Sequence, residues 1–193
     1  MHTPRQIELI EAAIALTSSE GIQKLTMRNI ATHVGISEAA VYRHFDNKQD
    51  LLKAVLGYLD ALLFPLLSDL VKTQDPPQSA LTNFLNQLFT LIEQNKAFTL
   101  MVFSEETFNV EPSLKGDLLA LLEANLALLA KFFANTASTG RCRSDISAHQ
   151  LAIITFGAIR LSVSHWHLNG NDRTLSDVTQ QLGQTFTTLF SLT

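Results

Sequence analysis

Five residues between positions 26 and 48 carry groups that can donate to an anionic backbone. Tyr42, His44 and Lys48 each have a side-chain donor able to reach phosphate oxygens. Thr26 and Ser37 pair a hydroxyl with the unpartnered first backbone amides of a helix. Between them stand Ala39 and Ala40, small enough to let a helix end approach base edges in the major groove. The chemistry this offers is nucleic-acid recognition, with positioning contacts around a small-residue reading surface.

Catalytic and metal chemistry have less footing. His165 and His167 are two apart, so on a helix they point in different directions and cannot share one metal. The adjacent Glu105 and Glu106 meet the same objection as a paired-carboxylate site. Cys142, between Arg141 and Arg143, offers a depressed pKa and a redox-sensing role, but a loop cysteine with no resolving partner is more often incidental. With no glycine-rich phosphate loop either, no enzyme activity, metal or cofactor is expected.

At 193 residues, 46% hydrophobic and 17% charged, the chain is long and apolar enough for a small module joined to a larger core. The net charge of -4 excludes coating nucleic acid through bulk positive charge. Residues 1–58 hold six Lys/Arg against six Asp/Glu, so the surplus acid lies C-terminally. One cysteine rules out a disulfide framework and fits a reducing cytoplasm. The first residues lack a signal-peptide core, and no export is expected. The apolar stretches 54–71 and 118–134 are broken by Asp60, Pro65 and Asp69, and by Glu123 and Lys131, so they read as buried helices and not membrane spans.

Helical periodicity runs throughout without sustained strand alternation, predicting an all-α fold of about nine helices. Thr3, Pro4 and Gln6 form a capping start to helix one, with Ile7, Ile10 and Ile14 on one face and Gly21 taking a left-handed turn at its end. Thr26 caps a second helix with Ile30 and Ala31 inward. Gly35 supplies a turn, and Ser37 caps a third helix, Glu38 to Phe45. Asn47 and Asp50 open a fourth, striped by Leu51, Leu52, Val55, Leu56, Leu59 and Leu63, which Pro65 should kink or end. Asp75-Pro76-Pro77 marks a linker, followed by helices near 79–95, 97–108, 112–137, 146–168 and 174–191.

Two short helices joined by a glycine turn have helix-turn-helix spacing, which many all-α proteins share. Segment 25–56, LTMRNIATHVGISEAAVYRHFDNKQDLLKAVL, adds specificity, because it resembles the DNA-binding signature of TetR-type (tetracycline-repressor family) regulators. The match includes Thr26, Ile30, Ala31, Val34, Gly35, Ser37, Tyr42, His44, Phe45, Lys48, Leu51 and Leu52, within residues 5–58. The resemblance implies that Arg28, Glu38, Ala39 and Arg43 lie at or near base edges, with Arg28 or Arg43 reaching a guanine and Phe45 a core residue. It also implies a helix-turn-helix domain over 1–48, and an effector-binding and dimerisation domain over 49–193.

The larger domain holds eleven of the twelve phenylalanines and no comparable motif. Phe84, Leu88, Phe103, Phe108, Phe156, Arg160, Trp166 and His167 are candidate lining for an effector cavity, coming from several helices and mixing aromatic faces with polar tips. A salt bridge from Arg160 to Glu105, Glu106 or Glu123 is the competing structural role. Ile153, Phe156, Ile159 and Val163, then Leu175, Val178, Leu182, Phe186 and Leu189, form stripes that an isologous four-helix dimer interface would bury. The expected protein is a cytoplasmic homodimer that binds double-stranded operator DNA and represses until a small apolar or amphipathic effector releases it. The alternative keeps the DNA-binding module in a structural or cell-cycle role, with a protein partner in place of the effector.

Overall fold

A computed structural model of the chain describes residues 2–94, 114–169 and 174–190. Among them are eight α-helices, one 3-10 turn and no strand: α1 Pro4–Glu20, the turn Ile22–Lys24, α2 Met27–Val34, α3 Glu38–Tyr42, α4 Lys48–Lys72, α5 Pro77–Gln94, α6 Lys115–Ser138, α7 Ala148–Leu168 and α8 Leu175–Phe190. The all-α expectation holds. The helix expected over 97–108 lies outside the described residues.

The chain divides into two compact units, one holding the N-terminal residues to Ala61 with the start of α6, the other Leu62–Gln94 with the residues from Leu121 onward. In the first, Thr3 Oγ1 accepts from Gln6 N–H and Gln6 returns the bond to the Thr3 backbone, closing the capping box. Leu9, Ile10, Ala13, Ile14 and Leu16 of α1 are buried, as are Leu25, Ile30, Ala31, Val41, Phe45, Leu51, Leu52, Val55 and Leu59, and α1 packs on the 3-10 turn and α2. Gly21 ends α1 at φ 85°, ψ 159°, in the positive-φ region that favours glycine as expected, though with ψ outside the helical well; its N–H donates to Thr17 O and the chain passes at once into the Ile22–Lys24 turn. The Tyr58 hydroxyl donates to Glu11 at 3.2 Å, and Lys53 pairs with Asp117 at 3.6 Å.

Pro65 does not end α4, which continues to Lys72. A proline inside a helix removes one backbone bond, and here Leu67 and Leu70 beyond it are buried while Phe64 before it is exposed. α4 is long and apolar enough to cross a membrane by composition alone. The linker is shorter than expected, since Pro77 occupies the first position of α5, where its missing N–H costs nothing.

In the second unit, α5 buries Ala80, Leu81, Phe84, Leu85, Leu88, Phe89 and Ile92, and α8 packs closely on it. Gly183 makes that approach possible, because a Cβ there would lie 2.9 Å from Thr82 Oγ1. Phe132, Phe133, Phe186 and Phe190 form a cluster with centroid separations of 4.9–5.3 Å. Each such contact adds about 0.5–1.5 kcal/mol beyond burial. Arg143 fastens the α6–α7 loop to the end of α8: its backbone N–H donates to Phe190 O at 3.0 Å and its guanidinium to Leu189 O at 3.1 Å, while pairing with Asp145. Arg141 donates to Gln74 O at 3.1 Å.

Candidate nucleic-acid interface

Local capping builds the α2–α3 pair. Thr26 Oγ1 accepts from Asn29 N–H at 3.1 Å and Ser37 Oγ from Ala40 N–H at 3.2 Å, so each hydroxyl keeps its own hydrogen to donate. Gly35 sits in the left-handed region, φ 76° and ψ 34°, and Ile36 N–H reaches back to Ala31 O at 2.9 Å, a turn that favours glycine. Val41 is fully buried, while Glu38, Ala39 and Tyr42, one, two and five places along from Ser37, are exposed and share one side of α3.

Thr26, Arg28, Ser37, Glu38, Ala39, Tyr42 and Arg43 are exposed, and His44 and Lys48 are half-buried. Regular helix in α3 stops at Tyr42 and does not reach Phe45 as expected. Val41 O instead accepts from both His44 N–H (2.9 Å) and Phe45 N–H (3.2 Å), a tight turn that drives the Phe45 ring into the core. Arg43 and His44 therefore ride on a turn anchored between two buried side chains. Gln6, known from sequence only as a cap, also meets this turn: its Nε2 donates to His44 O at 3.4 Å. No local spacing signals a contact between residues 38 positions apart.

The effector candidates divide. Phe84, Leu88 and Trp166 are buried; Phe156, Arg160 and His167 are half-buried along one side of α7; Phe103 and Phe108, with Glu105 and Glu106, lie outside the described residues. His167 Nδ1 is buried and has no hydrogen-bond partner among the described residues. An open cleft of about 610 Å³ is lined by Leu161, Ser162, His165, Trp166, Asn169, Val178 and Gln181, sharing only Trp166 with the expected set.

Cys142 fits the incidental of its two readings. It is 1% exposed, and burial pushes its thiol above the ordinary value, outweighing the lowering influence of Thr136 and of the Arg143 amide and charge. The Arg143 charge therefore acts on the sulfur but is outweighed by burial, its guanidinium bonding Leu189 O and Asp145 while that of Arg141 bonds Gln74 O. A buried protonated thiol lacks the reactivity of a redox sensor.

A capped helix pair with a left-handed glycine turn, carrying an exposed polar face on an all-helical body, defines a helix-turn-helix protein. Residues 9–55 match the family described as bacterial regulatory proteins, tetR family. It is 28% identical over 112 residues to nucleoid occlusion factor SlmA of Pasteurella multocida, covering 58% of this chain and 56% of that protein. It is 26% identical over 133 residues to SlmA of Mannheimia succiniciproducens, covering 66% and 62%. The chain thus matches less than two-thirds of the length of these relatives. Its fold matches the fatty acid degradation regulator FadR from Bacillus halodurans with a TM-score of 0.84 at 18% identity, covering 95% of both chains. The FadR structure from Bacillus subtilis in complex with stearoyl-CoA follows at 0.81 and 17%, covering 92% and 95%.

Proposed function

We propose that the protein is a dimeric transcriptional regulator that binds operator DNA through α3 and is released by a small apolar or amphipathic effector. The observation that carries this reading is the α2–α3 geometry: buried Val41 and Phe45 hold Glu38, Ala39, Tyr42 and Arg43 outward on a rigid mount. In this reading Ala39 lets α3 enter the major groove, and Arg28 or Arg43 reads a guanine. Thr26, Ser37, Tyr42, His44 and Lys48 hold phosphates and fix the register. Regulation follows when an effector alters the spacing of two half-site readers. The solved complex of a fold relative with stearoyl-CoA supports an acyl-bearing effector class. A DNA-binding regulator of this kind works in the cytoplasm, and its domains divide near residue 48.

A second copy is part of the proposal. Ile153, Ile154 and Leu161 on α7, with Leu168, are exposed, and Ile154, Leu161 and Leu168 recur at seven-residue intervals. The stripe expected from sequence is partly internal: Ile159, Val163, Leu175 and Phe186 are buried within the protomer. The dimer face is therefore the neighbouring, exposed stripe, joined by Leu189 of α8.

The identity to SlmA, a nucleoid occlusion factor, favours one second reading, in which the module binds DNA in a structural or cell-cycle role and the C-terminal unit meets a protein. Copurification separates the two: native mass spectrometry of the purified protein shows a bound small molecule in the first reading and none in the second. DNA binding itself is tested by fluorescence anisotropy against salt. Affinity falls steeply with salt, and Lys48→Ala lowers the log–log slope by about 1. Salt-independent binding would remove both readings.

A further inference from the structure

We infer that Gln6 is a positioning residue for DNA recognition, locking the Arg43–His44 turn to the start of α1. The inference rests on the DNA-binding reading above and assigns a role to a residue outside the helix-turn-helix.

One amide serves two ends. Thr3 N–H and the Thr3 hydroxyl point at Gln6 Oε1, at 3.0 and 3.3 Å. A backbone N–H can only donate, so Oε1 must face Thr3 and the NH2 group must face His44 O, 3.4 Å away. The amide orientation is thereby set by its partners. The capping box fixes the Gln6 side chain, and the fixed side chain reaches the turn that carries Arg43 and His44.

That turn needs an outside restraint. Its inner side is held by Val41 O, which accepts from His44 and Phe45 N–H, and by the buried Phe45 ring. Its outer side carries exposed Arg43 and half-buried His44, whose carbonyl faces Gln6. With the Gln6 bond absent, the 44–45 peptide, which carries the His44 carbonyl, is held by the Phe45 N–H bond to Val41 O and by the buried Phe45 ring, both on its inner side. Base reading by Arg43 needs two hydrogen bonds held in one plane and loses most from rotation of the turn, whereas phosphate contacts tolerate it. Gln6 therefore contributes to preference for the right sequence more than to attraction for DNA in general.

Substitutions at the two ends of the amide separate positioning from helix stability. Gln6→Glu keeps the acceptor for Thr3, places a favourable negative charge in the first helical turn, and replaces the donor facing His44 O with an oxygen. Gln6→Met removes the amide without adding charge. Thr3→Ala removes the Thr3 side-chain cap and leaves Gln6 Nε2 in place. The probes are a duplex enriched by the wild type from a random pool, and a scrambled duplex of equal length.

Gln6→Met and Gln6→Glu should bind the enriched duplex about five- to tenfold more weakly than wild type, the scale of one hydrogen bond. Gln6→Met should leave scrambled-duplex affinity unchanged, and any loss on scrambled DNA in Gln6→Glu measures its added charge. Gln6→Glu should retain the thermal midpoint. Thr3→Ala should lower the midpoint while keeping the preference for the enriched duplex. The inference is overturned if Gln6→Met discriminates as wild type does, or if it loses both duplexes equally. It is also overturned if Thr3→Ala loses discrimination as much as Gln6→Met, which would make the effect one of helix fraying. A wild type that enriches no duplex removes the function Gln6 is said to support, and overturns both readings.

Discussion

Leu168 and Leu161 are 83% and 73% exposed in the protomer, and Ile154 is 43% exposed on the same stripe of α7. Leu161→Ser removes the most exposed apolar side chain in the body of that stripe without touching the protomer's core. Full burial of a leucine stabilises by about 1.5–3 kcal/mol, and an isologous interface contains each residue twice. Taking two-thirds of that burial as newly gained, the substitution costs the dimer about 2–4 kcal/mol, or roughly 30- to 700-fold in dissociation constant. Sedimentation velocity over a nanomolar to micromolar series reads that shift, and circular dichroism of the diluted protomer should show unchanged helix content. Leu161→Ser that dimerises as tightly as wild type would refute the assignment of this face. Loss of helix content would instead mean that Leu161 serves the protomer's own core.

Gly183→Ala should destabilise despite alanine's helix preference, which is worth about 1 kcal/mol, because overpacking costs about 1–3 kcal/mol and the new Cβ lies 2.9 Å from Thr82 Oγ1. Combining it with Thr82→Ala should recover stability in chemical denaturation, and an additive double variant would contradict the contact. Cys142 should resist a thiol reagent at neutral pH in the native protein and react promptly in denaturant; rapid native labelling would contradict its burial. The guanidinium of Arg143 bonds Asp145 and holds its carboxyl below the ordinary carboxylate value, so the ionised form is favoured on folding. That contribution is present above about pH 4 and is lost as pH falls through the lowered value, so the small advantage of wild type over Asp145→Asn should narrow in acid. An advantage that grows with acidity would reverse the sign of the linkage.

What was legible in the sequence is what neighbours in the chain decide. Thr26, Ser37 and Asn47 cap their helices through residues three positions on, and Gly35 takes its left-handed turn, because these contacts close within one turn of backbone. Spacing could not tell which side of α7 is internal, since Ile153 and Ile154 are as apolar as Ile159 and Val163, and only the packing partner separates them. Pro77 read as linker because proline both breaks helices and starts them. Cys142 left two readings open because its arginine neighbours are adjacent in sequence, and only its burial, with their guanidiniums engaged elsewhere, separates them. Gln6 showed one of its two roles, the local one.

The central claim is that α3 reads DNA, and selection from a random duplex pool tests it most directly. A two-fold symmetric site is expected, with half-sites about 34–36 Å apart or a multiple of that spacing. Arg43→Ala should relax preference at particular base pairs and not across the whole site. A flat selection, or an equal loss at every position in Arg43→Ala, would contradict it.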